Sequence, residues 1–235
     1  AGVIAGRKGK KQVEKQDFLD AVDRIIGGLE KKNAIMTKAE KESTAIHEAG
    51  HATVSWMLQY ANPLVKVTIV PRGRALGAAW YLPEEHQHVT TKHLLDEICA
   101  TLAGRAAEEI IYNEVSTGAL NDLETTTKKA YAMVVYYGFS DKLANLSFYD
   151  STGASDYSFA KPYSEETSRV IDEEVKKLIA EQYQRAKDIL NQHLDGMKEL
   201  ASILIEKEVI FADDVERIFG KRPWKSRADE LSEES

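Results

Sequence analysis

The 235-residue chain lacks several features, and each absence narrows what it can be. It has a single cysteine, so no internal disulfide staples it, and Cys99 in "LLDEICATLAGRAAEEII" reads as a small apolar helix residue suited to a reducing compartment. No stretch approaches the roughly 18 uncharged apolar residues that a membrane-spanning helix needs. The N-terminus also lacks the charged-then-apolar order of a signal peptide, so any membrane anchor is expected in a segment outside this chain. A basic excess is missing too: 31 Lys+Arg stand against 38 Asp+Glu, and the net charge of -7 argues against a nucleic-acid partner. The phosphate-cradling pattern GxxxxGK[ST] does not occur, so neither binding nor hydrolysis of ATP is expected of this chain.

What is present is an ordinary balance of 43% hydrophobic and 29% charged residues, enough for one good core, or one main domain with a small appendage. The opening "AGVIAGRKGKKQVEKQ" is basic, and "DFLDAVDRIIGGLEKK" then places Phe18, Leu19, Val22, Ile25 and Ile26 on one helical stripe that Gly27-Gly28 ends. A second helix is expected to start at Thr37-Lys38-Ala39-Glu40, a capping-box pattern, and to run to Asn62-Pro63. "LVKVTIVP" and "ALGAAWYLP", joined by "RGR", are the only persuasive strand signals and predict one small sheet. From Thr90 onward the pattern is helical, over about 91–112, 118–137, 164–193 and 195–207 and in a short "DDVERIFG", with a loop near 139–163. The tail "KSRADELSEES" is polar and expected to be flexible.

Within the second helix, "TAIHEAGHATVSWML" carries the chemistry. Residues four apart share a helix face, so His47 and His51 can turn ring nitrogens toward one ion about 2.0–2.1 Å away. Glu48 then lies beside that ion without ligating it, where a general base takes a proton from the attacking water and returns it to the leaving amine. Gly50 costs the helix about 1 kcal/mol, which implies a close approach by something else. A catalytic zinc needs a third protein ligand. The longer local pattern is absent, since Val54 and Met57 stand where its glycine and third histidine belong. Downstream carboxylates remain open for that role: Glu108, Glu109, Glu114 and Asp122, the last in a turn and helix start, "STGALND". His86, His88 and His93 lie in a polar segment with no metal-site spacing and are read as surface, while Tyr131, Val134, Val135 and Tyr137 are read as core.

Together "TAIHEAGHA", "KVTIVPRGRALGAAWYLP", "AGRAAEE", "STGALNDL" and "KPYSEET" resemble, in order, the peptidase domain of the FtsH-type, membrane-anchored AAA+ zinc metalloproteases and their mitochondrial relatives. The resemblance implies a mainly α-helical (α+β) zincin-like peptidase domain over residues 34–220, with a small β-sheet near the active-site helix. It implies a remnant of an AAA+ lid in residues 1–33, and a flexible polar tail in 221–235. His47 and His51 are then zinc ligands, Glu48 the catalytic base, Asp122 the third ligand, and Glu108 a partner near the site that holds ligands in place and also remains the rival third ligand. One Zn2+ per subunit is implied, with ATP used only by the full-length protein. Implied partners are unfolded or misfolded polypeptides and a homohexamer enclosing its sites, with no nucleic acid. The implied location is the cytoplasmic face of the bacterial inner membrane, or else the mitochondrial inner membrane, while the fragment itself is soluble.

An extended substrate can bind by adding a strand to a sheet edge. Residues 75–82 are the candidate edge, with Gly77, Ala78, Ala79 and Trp80 as the substrate-binding positions. No motif assigns an oxyanion donor, and Tyr81, His86 and Arg105 stay unassigned. Two alternatives are a helical oligomerisation scaffold with structural zinc and a small-molecule hydrolase bearing the same motif. The scaffold has no use for Glu48, and the hydrolase cleaves short substrates only.

Overall fold

A computed structural model describes residues 1–14, 17–18, 21, 36–71, 77–82, 88–150 and 161–225. Most of the helix expected around residues 17–26, its Gly27-Gly28 end, the "RGR" joint, Ala75 and Leu76 of the second β segment, His86, part of the 139–163 loop and the tail from 226 lie outside the described residues. A short helix α1 (Gly2–Arg7) opens the chain. The body comprises α2 (Lys38–Met57), β1 (Leu64–Thr68), β2 (Ala78–Tyr81), α3 (Thr91–Tyr112), a 3-10 turn (Thr117–Ala119), α4 (Leu120–Val135), α5 (Glu165–Gln192), α6 (Leu194–Lys207), β3 (Val209–Phe211) and α7 (Ala212–Phe219). Among the described residues no helix is long and apolar enough to cross a membrane.

Helix α2 begins as its sequence dictates. Thr37 Oγ1 accepts the Glu40 N–H at 3.2 Å, and Glu40 Oε2 accepts the Thr37 N–H at 2.7 Å, so two end donors are satisfied reciprocally. Every residue from Thr44 to Trp56 is buried, because α3 and α6 pack along the helix and β1, β2 and α5 cover it. A helix covered all round is the central element of its domain, and polar side chains on it must be paired. The approach of α3 is close at Gly50, where an added methyl would lie 2.6 Å from Ala107 Cβ and 2.7 Å from the Ala103 carbonyl oxygen.

The helix ends at Met57, five residues before the expected stop at Asn62-Pro63, and Leu58 is already extended at φ -97, ψ 136. The freed carbonyls are taken by distant residues: Trp224 Nε1 donates to Met57 O at 3.1 Å, and Arg222 Nη2 donates to Leu58 O at 3.0 Å and Ala61 O at 2.5 Å. That stop is tertiary, so the local pattern could not show it.

The sheet is antiparallel in the order β2-β1-β3. Val67 of β1 faces Ala79 on one side and Ile210 on the other. The third strand was not expected; it is three residues between two helices, too short to carry an alternating pattern, and pairing with β1 defines it. On the far side of α3, Ile98 and Leu102 meet Ala130 and Met133 of α4 and Val175, Leu178 and Ile179 of α5. Val134 and Val135 are buried as expected, but Tyr137 is 57% exposed because α4 ends at Val135.

Candidate metal centre

Three elements meet at the two histidines. Helix α2 presents His47 and His51 one turn apart, both less than a tenth exposed. Helix α3 takes the inner nitrogen of each ring. The Nδ1–H of His51 donates to the Ala100 carbonyl at 2.9 Å, and the Nδ1–H of His47 donates to Glu108 Oε1 at 2.6 Å. With both Nδ1 atoms held by α3, the Nε2 atoms are the ones that converge on one point. They lie 3.0 Å apart. Helix α4 then brings Asp122, whose Oδ2 sits 3.2 Å from His47 Nε2 and 3.4 Å from His51 Nε2.

The three separations are close to the roughly 3.3 Å edge of a tetrahedron whose donors stand about 2.0–2.1 Å from a central ion. His47, His51 and Asp122 are the one His/Cys/Asp/Glu group among the described residues that is placed to hold a metal ion. Two imidazoles and one carboxylate suit zinc, and three protein donors leave its fourth position open. The residues therefore fit the ion.

The electrostatics point the same way. Burial opposes a charged ring at His47, yet the carboxylates of Asp122 and Glu108 outweigh it and push the ring up to about 10. Burial likewise opposes ionisation of Asp122, but bonds from both histidines hold its carboxyl well below the usual range. The surroundings thus favour positive charge between these side chains, which a cation supplies. Glu48 differs: burial pushes its carboxyl up, against the opposing pull of the two histidines.

Glu108 lies on the Nδ1 side of His47, away from the converging Nε2 atoms, and its second oxygen accepts the Ser116 N–H at 2.8 Å. Ser116 caps the 3-10 turn that leads into α4, its Oγ accepting the Gly118 N–H at 3.1 Å. One buried carboxylate therefore fixes both a ring and the turn that precedes Asp122. Glu109 faces away to Tyr183 and Lys187, and Glu114 is exposed.

Gly77 immediately precedes β2 and presses on α2: a methyl there would stand 2.8 Å from Glu48 Cγ, from Glu48 Oε1 and from Thr44 Cγ2. Ala78, Ala79 and Trp80 follow on β2, half-buried, with the strand's other side unpaired among the described residues. The Tyr81 hydroxyl accepts a bond from Ser55 at 3.0 Å, and burial pushes its phenol upward. Glu109 is held below the usual carboxylate range chiefly by its bonds from Lys187 and Tyr183, with Arg105 adding only a weaker long-range pull. His88 is exposed, and His93 bonds Thr90 and stacks near Tyr60.

The family model described as Peptidase family M41 matches residues 34–218 of this chain. The chain belongs to that family. A relative in Parabacteroides distasonis named ATP-dependent zinc metalloprotease FtsH is 63% identical over 233 residues, spanning 99% of this chain and 34% of the relative. A mitochondrial one from Arabidopsis thaliana, ATP-dependent zinc metalloprotease FTSH 3, is 48% identical and covers 96% of this chain and 28% of its own length. The mouse mitochondrial inner membrane m-AAA protease component AFG3L2 is 42% identical, over 97% of this chain and 28% of its own. The chain thus spans about a third of the length of the curated relatives it matches. For an M41 member, the mainly helical fold with one small sheet is the architecture the sequence led us to expect.

Two contributors went unnoticed in the sequence. The Ala100 carbonyl, which orients His51, is a backbone group with no sequence signature. Gly104 lies over the ring nitrogens, and its signal was a glycine interrupting an apolar helix, "ATLAGRAAEE".

Proposed function

We propose that this M41 chain is the zinc endopeptidase part of a longer, ATP-dependent protease, with His47, His51 and Asp122 as the zinc ligands. The observation that carries this reading is the tetrahedral spacing of the two Nε2 atoms and Asp122 Oδ2, 3.0–3.4 Å from one another. Zinc held there supplies a Lewis acid that polarises a peptide carbonyl and readies water for attack at neutral pH.

The remaining steps belong to the chain. Glu48, adjacent to His47 but outside the ligand set, takes a proton from the attacking water and delivers it to the leaving amine. Glu48 is buried, so the proton it carries is kept from bulk water between the two transfers. Glu108 and the Ala100 carbonyl hold the two rings so that neither turns away when substrate enters. The unpaired side of β2 accepts an extended backbone, with Gly77 keeping that strand against Glu48 and Ala78, Ala79 and Trp80 along its length. Backbone pairing of this kind reads no particular sequence and suits unfolded or misfolded polypeptides.

In the longer protein, residues 1–33 end an AAA+ lid, an ATPase delivers substrate, and an anchor outside this chain fixes a homohexamer at the bacterial inner membrane or its mitochondrial counterpart. The relatives' names support ATP dependence and, for the mouse protein, a mitochondrial inner-membrane location. The test is cleavage of an unstructured polypeptide by the zinc-loaded chain beside Glu48→Gln, with zinc content measured for both. Loss of cleavage at equal zinc supports the reading. A parent chain that holds zinc and cuts nothing, even when assembled into its ring, puts the scaffold reading ahead.

A further inference from the structure

We infer that Gly104 is a positioning residue of the metal centre, its missing side chain being what lets the two imidazoles converge; the inference rests on the reading of His47, His51 and Asp122 as ligands. A methyl built on Gly104 would lie 2.5 Å from His47 Nε2, 2.6 Å from His47 Cε1 and 2.6 Å from His51 Nε2. Carbon and nitrogen do not approach that closely, so a side chain here displaces both ligand nitrogens together.

The placement follows from helix periodicity. Ala100, Gly104 and Glu108 are spaced by four on α3 and therefore share one face. At one end of that face the Ala100 carbonyl holds His51 Nδ1, and at the other Glu108 holds His47 Nδ1. Between them the bare Cα of Gly104 lies against the outer nitrogens of both rings. Helix α3 thus works as a rack with two holders and a gap, and the gap is as necessary as the holders.

Gly50 supplies the contrast. A methyl there meets Ala107 Cβ and the Ala103 backbone, which cannot give way, so its glycine serves the packing of α2 on α3. At Gly104 the obstructed atoms are the far ends of two side chains, which can swing aside. Alanine at 104 should therefore leave the fold intact while the ligand set comes apart. Alanine at 50 should instead break the packing of α2 on α3, with the ligand set lost as a consequence.

The experiment compares the 235-residue chain with Gly104→Ala, Gly50→Ala and His51→Ala. Zinc affinity is read by competition with a chromogenic chelator, the visible spectrum after Co2+ loading reports the ligand set, and unfolding is followed without metal. The expected result is that Gly104→Ala binds zinc at least about 100-fold more weakly, beyond the usual 10–100-fold cost of disturbing one supporting partner. It loses the tetrahedral Co2+ spectrum, and its metal-free midpoint stays within about 4 °C of the parent. Gly50→Ala loses far more in midpoint, and its zinc loss accompanies that loss of packing between α2 and α3. If Gly104→Ala is itself destabilised, the loss must vanish in a His47→Ala, His51→Ala background, where the rings it strikes are gone; a loss that persists there overturns the inference. Parent-like zinc affinity in Gly104→Ala also overturns it, with the ligand reading intact. Zinc retained at full affinity by His51→Ala would instead sink the ligand reading, and this inference with it.

Discussion

Replacing Glu108 by glutamine keeps the volume of the side chain and tests whether one carboxylate couples two ligands. The native group is only 3% exposed and accepts two donors, the His47 Nδ1–H at 2.6 Å and the Ser116 N–H at 2.8 Å. An amide has one acceptor oxygen, so it can satisfy one of these donors and must turn an N–H toward the other. A bond to a charged group contributes about 1.5–3 kcal/mol, and at this burial little of that is screened by solvent. The metal-free protein should therefore lose about 2–3 kcal/mol, a fall of roughly 4–12 °C in midpoint for a chain of this size. Zinc affinity should fall by about 10–100-fold, because either the ring of His47 or the turn before Asp122 is released. Calorimetric unfolding in chelator gives the first quantity and a competitive zinc titration the second. A variant that is destabilised but binds zinc within about threefold of the parent would refute the coupling, leaving Glu108 as a brace for the Ser116 turn alone. A variant unchanged in both would refute the buried charge-assisted geometry itself.

Asp122→Asn preserves shape and one oxygen while removing the charge facing both Nε2 atoms, and should weaken zinc by more than about tenfold, measured by the same titration. Gly77→Ala should push the Glu48 carboxylate out of place and cut the hydrolysis rate by about 10–100-fold with zinc content unchanged; parallel losses of zinc and rate would contradict this. Arg222→Ala removes donors to the carbonyls of Leu58 and Ala61 beyond the end of α2, and should cost about 1–3 kcal/mol in chemical denaturation while leaving zinc affinity as it was.

How much of this was legible in the sequence depends on the range of each interaction. The histidine pair and Glu48 are set by helix spacing alone, and the start of α2 by a capping box within four residues, so both could be read directly. Helices α3 to α7 followed from their periodicity to within about two residues at each end. The end of α2 depends on Trp224 and Arg222, more than 150 residues away, and no local rule places it. Strand β3 exists because β1 pairs with it. The choice among Glu108, Glu109, Glu114 and Asp122 was open for the same reason. All four are carboxylates on or beside helices, and only the packing of α3 and α4 on α2 turns one toward the Nε2 atoms, one toward Nδ1 and two elsewhere.

That dependence also explains why the motif on α2 is insufficient by itself. An isolated helix places two imidazoles on one face but leaves each ring free to rotate and to expose either nitrogen. Here the selection of Nε2 is made by α3, whose Ala100 carbonyl and Glu108 carboxylate occupy the two Nδ1 atoms. The selection demands that α3 lie close, and Gly50 against Ala103 and Ala107 is what permits the distance. Closeness in turn would drive an ordinary side chain at position 104 into the rings, which is why the helix carries a second glycine at a cost of about 1 kcal/mol in helix propensity. Two glycines on facing helices, one clearing backbone and one clearing ligands, are thus consequences of a single requirement. The metal-facing nitrogens must be chosen by neighbours before the ion arrives, so that its binding energy is not consumed in ordering the site.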